Sequence, residues 1–289
     1  MKLPFCTVDV FTEHRFGGNQ LAVFVDAPDL SDEVMQAIAR EFNLSETVFI
    51  VKPRDSRAKR RLRIFTVARE LPFAGHPTIG AAQVLVEEGL AGVTGDLGGF
   101  LLEEAVGLVP INVRRQPNGA WFVQLTTATL PQQGVAAPPL AELARLLNVA
   151  ESEILQEEQF PQFFACPVPF LFVPLRDRSV LGRVCVDTSI SRRIRATAGA
   201  ADVFVFSYDP ERPGSDIRAR MFADGLGIAE DPATGSAAAA FAGYLAKRAG
   251  KQEGAGLEPF PAAFRQLDPL QESMFDFRER FEVLQQSPQ

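Results

Sequence analysis

Three titratable residues stand where proton chemistry could be done. His76 lies in "FAGHPTIGAA" (residues 73–82), Asp231 in "EDPATGSAAAA" (residues 230–240) and Glu46 in "NLSETVF" (residues 43–49). A carboxyl and an imidazole can trade protons near neutral pH once burial raises the one or lowers the other. The His76 and Asp231 loops each run into very small side chains that read as the start of a helix. The first turn of a helix carries N–H groups without internal partners and a partial positive charge. An anion docks there without a lysine or arginine. Gly75 and Gly235 have no side chain to keep a ligand from the backbone, and Pro77 suits a helix start because it has no N–H to lose. The chemistry so suggested is a proton shift on a small carboxylate.

Blander roles fit the same spacing. His76 serves equally well as a turn histidine, Glu46 as an acid at a strand end, and Asp231 as a turn former or helix cap. "FGGN" (residues 16–19) reads as a hairpin turn, and "SRAKRRLR" (residues 56–63) as a solvated basic face. Cys6 reads as a small buried hydrophobe. The two histidines and the scattered cysteines, Cys6, Cys166 and Cys185, make no metal-ligand cluster and no disulfide framework. No metal is therefore expected. "TGS" lacks the Gly-Lys-Ser/Thr of a phosphate loop, and no cofactor is expected either.

The elements that must hold these residues follow from periodicity. "CTVDVF" and "LAVFVD" read as strands. "LSDEVMQAIAREFNL" reads as a helix capped by Ser31 or Asp32, with Val34, Ile38 and Phe42 at helical spacing. "ETVFIVK" and "LRIFTV" are strands, and Pro77 to Gly89 is a helix apolar on all sides, hence buried. From Gly92 to Gly134 short β runs alternate with Gly and Pro ("GFLLEE", "GLVPINVRR", "AWFVQLT"). "PQQGVAAPP" (residues 131–139) reads as a linker and "LAELARLLNV" as an amphipathic helix. "FLFVPL", "ADVFVFSYD" and "IRARMFA" are strands, and "TGSAAAAFAGYLAKRAG" is a second small-residue helix. Each half thus shows strands, a glycine-containing loop and a buried helix. Two similar domains, each wrapping a sheet around one central helix, account for the echo. A doubly wound parallel sheet fits less well, because the helices are too few.

Bulk composition agrees. The 289 residues suffice for two domains, with 46% hydrophobic and 22% charged residues. A net charge of -7 argues against nucleic acid as a partner. The apolar stretch "PQFFACPVPFLFVPL" carries four prolines and cannot be a membrane-spanning helix. Asp9 and Glu13 come too early for a signal peptide, and the sparse cysteines suit a reducing cytoplasm.

The motifs "VDVFT…FGGNQLAVF", "LSETVFI", "ELPFAGHPTIGAA" and "ARMFA…GIAEDPATGSAAAA", in this order, resemble those of the PhzF family, the phenazine-biosynthesis-like isomerases. The resemblance spans roughly residues 5 to 248. It implies an α+β, diaminopimelate-epimerase-like fold of two similar domains, each a curled, mostly antiparallel sheet around a central helix. The domains are expected at 1–118, with a closing strand allowed within 275–287, and at 119–274, with the active site between them. The resemblance further implies Glu46 as the catalytic carboxylate, with His76 and Asp231 as its helpers. Asn19, Ser45, Gly75, Thr234, Gly235 and Ser236 are then the substrate-binding positions. The epimerase relatives use two thiols, one at each loop. Those places hold Ala74 and Pro232 here, so a carboxylate-based proton shift is expected instead. The implied protein is a cofactor-independent, cytoplasmic isomerase, a homodimer, acting on a small anionic carboxylate. Beyond Lys251 the chain departs from the family's usual Gln-Gly…Met-Gly-Arg segment. That departure keeps a second reading open, a non-catalytic binding or interaction protein on the same fold.

Overall fold

The computed structural model describes residues 3–12, 16–127, 129–199, 202–210, 216–232 and 234–248, with short strands at 267–268 and 284–285. The chain forms two compact units, Met1–Ala128 with Glu279–Gln289, and Thr129–Arg278. The chain passes between units at Ala128–Thr129 rather than near residue 118, because the strand Trp121–Leu125 completes the first sheet.

Unit 1 contains β1 (Phe5–Val10), β2 (Asn19–Phe24), α1 (Asp32–Phe42), β3 (Glu46–Val51), β4 (Arg60–Phe65), β5 (Glu70–Leu71), α2 (Gly75–Glu87), β6 (Leu97–Glu104), β7 (Gly107–Arg115) and β8 (Trp121–Leu125). The sheet order is β1-β2-β3-β4-β6-β7-β8, with β5 on β4 and the strand Leu284–Gln285 outside β1. Pairing is antiparallel except for β2/β3 and β4/β6. The sheet curls: α2 packs on β1 to β4 and also on β8 at the far end. Residues from Gly75 to Val86 are accordingly buried on every side of α2. Alternation sorts the strands into two faces. Leu21, Val23, Val48 and Ile50 share the face toward α2, while Ala22, Phe24, Phe49 and Phe65 form a second core with Met35 and Ala39 of α1. Ser31 caps α1 by accepting from Val34 N. The expected stripe on α1 is displaced by one residue: Met35 and Ala39 are buried, Ile38 and Phe42 flank them, and Val34 is exposed.

Unit 2 contains β9 (Gln132–Ala136), α3 (Leu140–Leu147), β10 (Gln162–Ala165), β11 (Pro169–Pro174), α4 (Arg178–Arg183), α5 (Thr188–Ala198), β12 (Val203–Ser207), β13 (Ile217–Ala223), β14 (Ile228–Asp231) and α6 (Gly235–Arg248). The sheet order is β14-β13-β12-β11-β10-β9, with Leu267–Asp268 beside β13. Only β11/β12 and β13/267–268 pair in parallel. Leu171, Val173, Val203 and Val205 face α3, α4 and α5. Their neighbours Phe172, Phe204 and Phe206 pack in tilted and edge-on contacts against Phe241 and Tyr244 of α6 on the opposite face.

The supposed linker 131–139 carries β9, which pairs with β10, and Gly134 lies so close to Phe163 that an added Cβ would sit 2.8 Å from its Cβ. The helices α4 and α5, capped by Asp177 and Asp187, went unread. Of the closing strand allowed within 275–287, the described part is Leu284–Gln285, which pairs antiparallel with β1; Phe275, Phe277, Phe281 and Val283 lie outside the described residues. The fold is α+β with two curled, mostly antiparallel sheets, and no described helix is long and apolar enough to cross a membrane.

Candidate active site

In unit 1 the parallel pair β2/β3 sets the site. Leu21 pairs with Glu46, so Asn19, two residues earlier, shares the α2 face with Glu46. Gly18 makes this entry possible, since a Cβ there would meet the Val10 carbonyl oxygen at 2.3 Å. The start of α2 then brings His76 against both. Its Nδ1 lies 3.3 Å from Asn19 Nδ2, and its Nε2 lies 3.4 Å from Glu46 Oε2. All three residues are buried, His76 to 2% exposure and Glu46 to 6%. Burial pushes the His76 imidazole down to about 3, with the Gln20 main chain acting in the opposite sense, so the ring is neutral at ordinary pH. With the Asn19 amide donating to Nδ1, the single ring proton is assigned to Nε2, on the Glu46 side.

The end of α2 is open to an acceptor. Ala74 precedes it in extended conformation and supplies no side-chain cap, and no acid lies in the first turn. The first intrahelical bond runs from Thr78 N to Ala74 O at 3.2 Å. Pro77 has no N–H, so Gly75 and His76 are the residues whose N–H groups lack a partner within the helix. Ser45 is half-buried, immediately before β3.

Unit 2 holds the other residues. Asp231 ends β14, is 3% exposed, and accepts a short hydrogen bond from the Thr234 hydroxyl. Gly235 and Ser236 open α6, where Ala238 N bonds to Thr234 O at 3.0 Å and Ser236 is buried. The structure thus gathers Asn19, Glu46, Gly75 and His76 within one unit, and Asp231, Thr234, Gly235 and Ser236 within the other.

Thiols stand apart from both groups. Cys6 lies within β1, and burial pushes it up to about 11, against thiolate formation. Cys166 is buried and Cys185 exposed, neither in the two helix-start loops. No group of three or more potential metal ligands occurs among the described residues.

Sequence reasoning passed over Thr78 and Glu104. The Thr78 hydroxyl lies 2.6 Å from Glu104 Oε1 and 2.7 Å from the Ala74 carbonyl oxygen. The signal was present in the alternation of β6, where Glu104 falls on the same face as buried Leu102.

A family model described as phenazine biosynthesis-like protein matches residues 8–262. An uncharacterized isomerase of Mesorhizobium japonicum is 42% identical over 241 residues, which is 82% of this chain and 78% of that protein. The trans-2,3-dihydro-3-hydroxyanthranilate isomerase of Pseudomonas aeruginosa is 34% identical over 244 residues, 84% of this chain and 80% of that one. A solved structure described as a predicted epimerase from Pseudomonas aeruginosa matches with a TM-score of 0.72 at 31% identity, over 86% of this chain and 83% of that chain. With its residues matched almost throughout and its relatives named as isomerases, the chain belongs to the PhzC-PhzF family of phenazine biosynthesis-like proteins.

Proposed function

We propose that the chain is a cofactor-independent isomerase that moves a proton between two carbons of a small carboxylate-bearing metabolite. The observation that carries this reading is the buried chain Asn19–His76–Glu46 at the open end of α2. The N–H groups of Gly75 and His76 take the substrate carboxylate, helped by the positive end of the helix. Glu46 removes a proton from a carbon whose carbanion is delocalised toward that carboxylate, and the same carboxyl returns the proton to a second carbon. Atoms balance without any co-reactant: one C–H bond breaks, one forms, and the double bond shifts. A neutral His76, its Nε2 3.4 Å from Glu46 Oε2, flanks the carboxylate without adding charge. The helix-end N–H groups stabilise the charge that develops on the substrate. Within unit 2, the Thr234–Asp231 hydrogen bond and the buried Ser236 at the start of α6 support a ligand-contacting role for these three residues.

The relatives named as isomerases support the class of reaction. The test is solvent deuterium incorporation by nuclear magnetic resonance. The panel comprises trans-2,3-dihydro-3-hydroxyanthranilate together with small cyclic and amino acids. Wild type is expected to exchange at least one compound, and Glu46→Gln to keep binding while losing exchange. A Glu46→Gln protein exchanging at the wild-type rate would remove Glu46 from its role. Binding without exchange of any compound would favour a non-catalytic ligand-binding protein.

A further inference from the structure

Glu104 ends β6 on the face turned toward α2, and its neighbour Glu103 faces the opposite way. Glu103 Oε2 accepts from Arg54 N and Asp55 N, at 2.6 and 2.9 Å, and its other oxygen lies 3.7 Å from Arg61. Glu104 is 4% exposed and has Thr78 Oγ1 at 2.6 Å from its Oε1. The same hydroxyl oxygen lies 2.7 Å from the Ala74 carbonyl oxygen. A hydroxyl has one proton to give. The Ala74 carbonyl has none, so both contacts are hydrogen bonds only if the third group supplies a proton. The carboxyl of Glu104 is that donor: Glu104 gives a proton to Thr78 Oγ1, which gives its own to Ala74 O. The other oxygen, Glu104 Oε2, has no hydrogen-bond partner among the described residues. An ionised carboxylate so placed would carry a large desolvation penalty, whereas a neutral acid carries only an unpaired acceptor.

The surrounding elements leave the acid uncompensated. From α2, His76 faces Asn19 and Glu46, and Glu87 accepts from Gln83. On β4, Arg60 pairs with Asp26, Arg61 with Glu103, and Arg63 with Asp32 and Glu70. On β7, Arg114 and Arg115 lie over the rings of Phe122 and Trp121. Burial accordingly pushes the Glu104 carboxyl up to about 8. The segment it steadies is the one that delivers His76: Ala74 is the residue before α2, and Val106, just past Glu104, donates to Pro72 O at 3.3 Å.

We infer that protonated Glu104 is a positioning residue for the His76 turn, acting through Thr78 on the Ala74 carbonyl, and that loss of its proton resets that turn. Once ionised, Glu104 draws the Thr78 hydroxyl proton to itself, and Ala74 O keeps only its main-chain bond. His76 then changes environment at a pH where its own ring does not titrate. The importance of this for turnover rests on the proposed role of His76; the coupling itself does not.

The test reads His76 directly, without substrate. Protein labelled at histidine ring nitrogens is titrated from neutral to alkaline pH by nuclear magnetic resonance, the His76 signals being assigned by their loss in His76→Asn. Wild type is expected to show a step in the His76 shifts near pH 8. An infrared carboxylic-acid stretch should disappear over the same range. In Glu104→Gln, whose amide can still donate to Thr78, the His76 signals should hold their neutral-pH position and the step and stretch should vanish. Thr78→Val, which cuts the chain but leaves the acid, should keep the stretch and lose the step. His76 shifts that stay flat in wild type overturn the inference, whether or not either variant folds. A step that persists in both variants overturns it too. A normal step with no deuterium exchange on any compound leaves this inference standing and counts against the proposed reaction instead.

Discussion

His76 Nε2 and Glu46 Oε2 face each other at 3.4 Å from different elements, a helix start and a strand start. Neither residue could hold this relation alone. The strand pair fixes Glu46, the closely packed α2 fixes His76, and Asn19 selects which ring nitrogen carries the proton. Removing Asn19 should therefore disturb function more than shape. In Asn19→Leu the ring is free to move its proton to Nδ1, which turns an Nε2 lone pair toward the Glu46 carboxylate. Deuterium exchange should fall about a hundredfold, the low end of the range that a positioned acid–base group contributes. Ring nitrogen shifts of His76 should report the changed tautomer. Unchanged shifts with unchanged exchange would show that Asn19 does not set the tautomer.

Stability should depend on pH in a dome with a flat top. The folded chain keeps His76 neutral down to about 3, while the unfolded chain protonates it near 6.5. The contribution of neutral His76 is thus complete above 6.5 and lost as pH falls toward 3. Glu104 behaves oppositely: the fold keeps its proton up to about 8, whereas the unfolded chain releases it near 4.5. Its contribution is complete below 4.5 and lost as pH rises toward 8. Between 4.5 and 6.5 the two slopes oppose each other, each about 1.4 kcal/mol per pH unit. Urea unfolding across pH should show His76→Asn with a shallower acid limb and Glu104→Gln with a shallower alkaline limb. A Glu104→Gln protein whose alkaline limb matches wild type would place the titrating group elsewhere.

Two helix glycines should respond differently to alanine. The helix propensity gain is about 1 kcal/mol at either position. An alanine Cβ at Gly80 would lie 2.6 Å from Leu21 Cδ2 and 3.0 Å from Val10 Cγ2, both ends of buried side chains. At Gly243 it would lie 2.3 Å from the Pro131 ring and 3.2 Å from Phe164. Overpacking costs about 1–3 kcal/mol. A leucine methyl can turn aside, but a proline ring cannot. Thermal unfolding should rank Gly243→Ala below Gly80→Ala, with both below wild type. The reverse order would mean that α6 shifts on its sheet more freely than α2.

Much of this arrangement was legible because period and burial coincide. The run from Gly75 to Val86 contains no charged residue, and such a helix must be enclosed. β2 and β3 are buried on both faces, so it is their register, Leu21 opposite Glu46, rather than an alternating pattern, that puts Asn19 and Glu46 on one face. α5 escaped because "TSISRRIRATA" carries three arginines and only Ile190, Ser191 and Ile194 reach the core. Its signal was the cap, Asp187, which accepts from Ser189 N and Ile190 N. β9 escaped because all five of its residues are exposed at the edge of the sheet, so no alternation marks it. Glu104 escaped because the pair Glu103–Glu104 looks like a charged strand end. Only the alternation through Leu102 separates the outward acid from the inward one.

Thr234 offers a sharper test of the unit 2 residues than Asp231 itself. Replacing buried Asp231 changes charge, shape and hydrogen bonding at once. Thr234→Val keeps the shape and removes only the hydroxyl that donates to Asp231 Oδ2. A hydrogen bond to a charged group contributes about 1.5–3 kcal/mol, so the urea midpoint should drop by a corresponding amount. Thr234→Ser keeps the hydroxyl and loses a methyl group, which costs about 1 kcal/mol or less at a small site. If Asp231 takes part in the exchange reaction, exchange should fall much further in Thr234→Val than in Thr234→Ser. A fall confined to Thr234→Ser would assign the effect to the missing methyl packing, and an equal fall in both variants would show that the hydroxyl is not what sets the rate. Exchange that stays at the wild-type rate in both, with stability lowered in Thr234→Val, would make the Thr234–Asp231 bond a helix cap and nothing more.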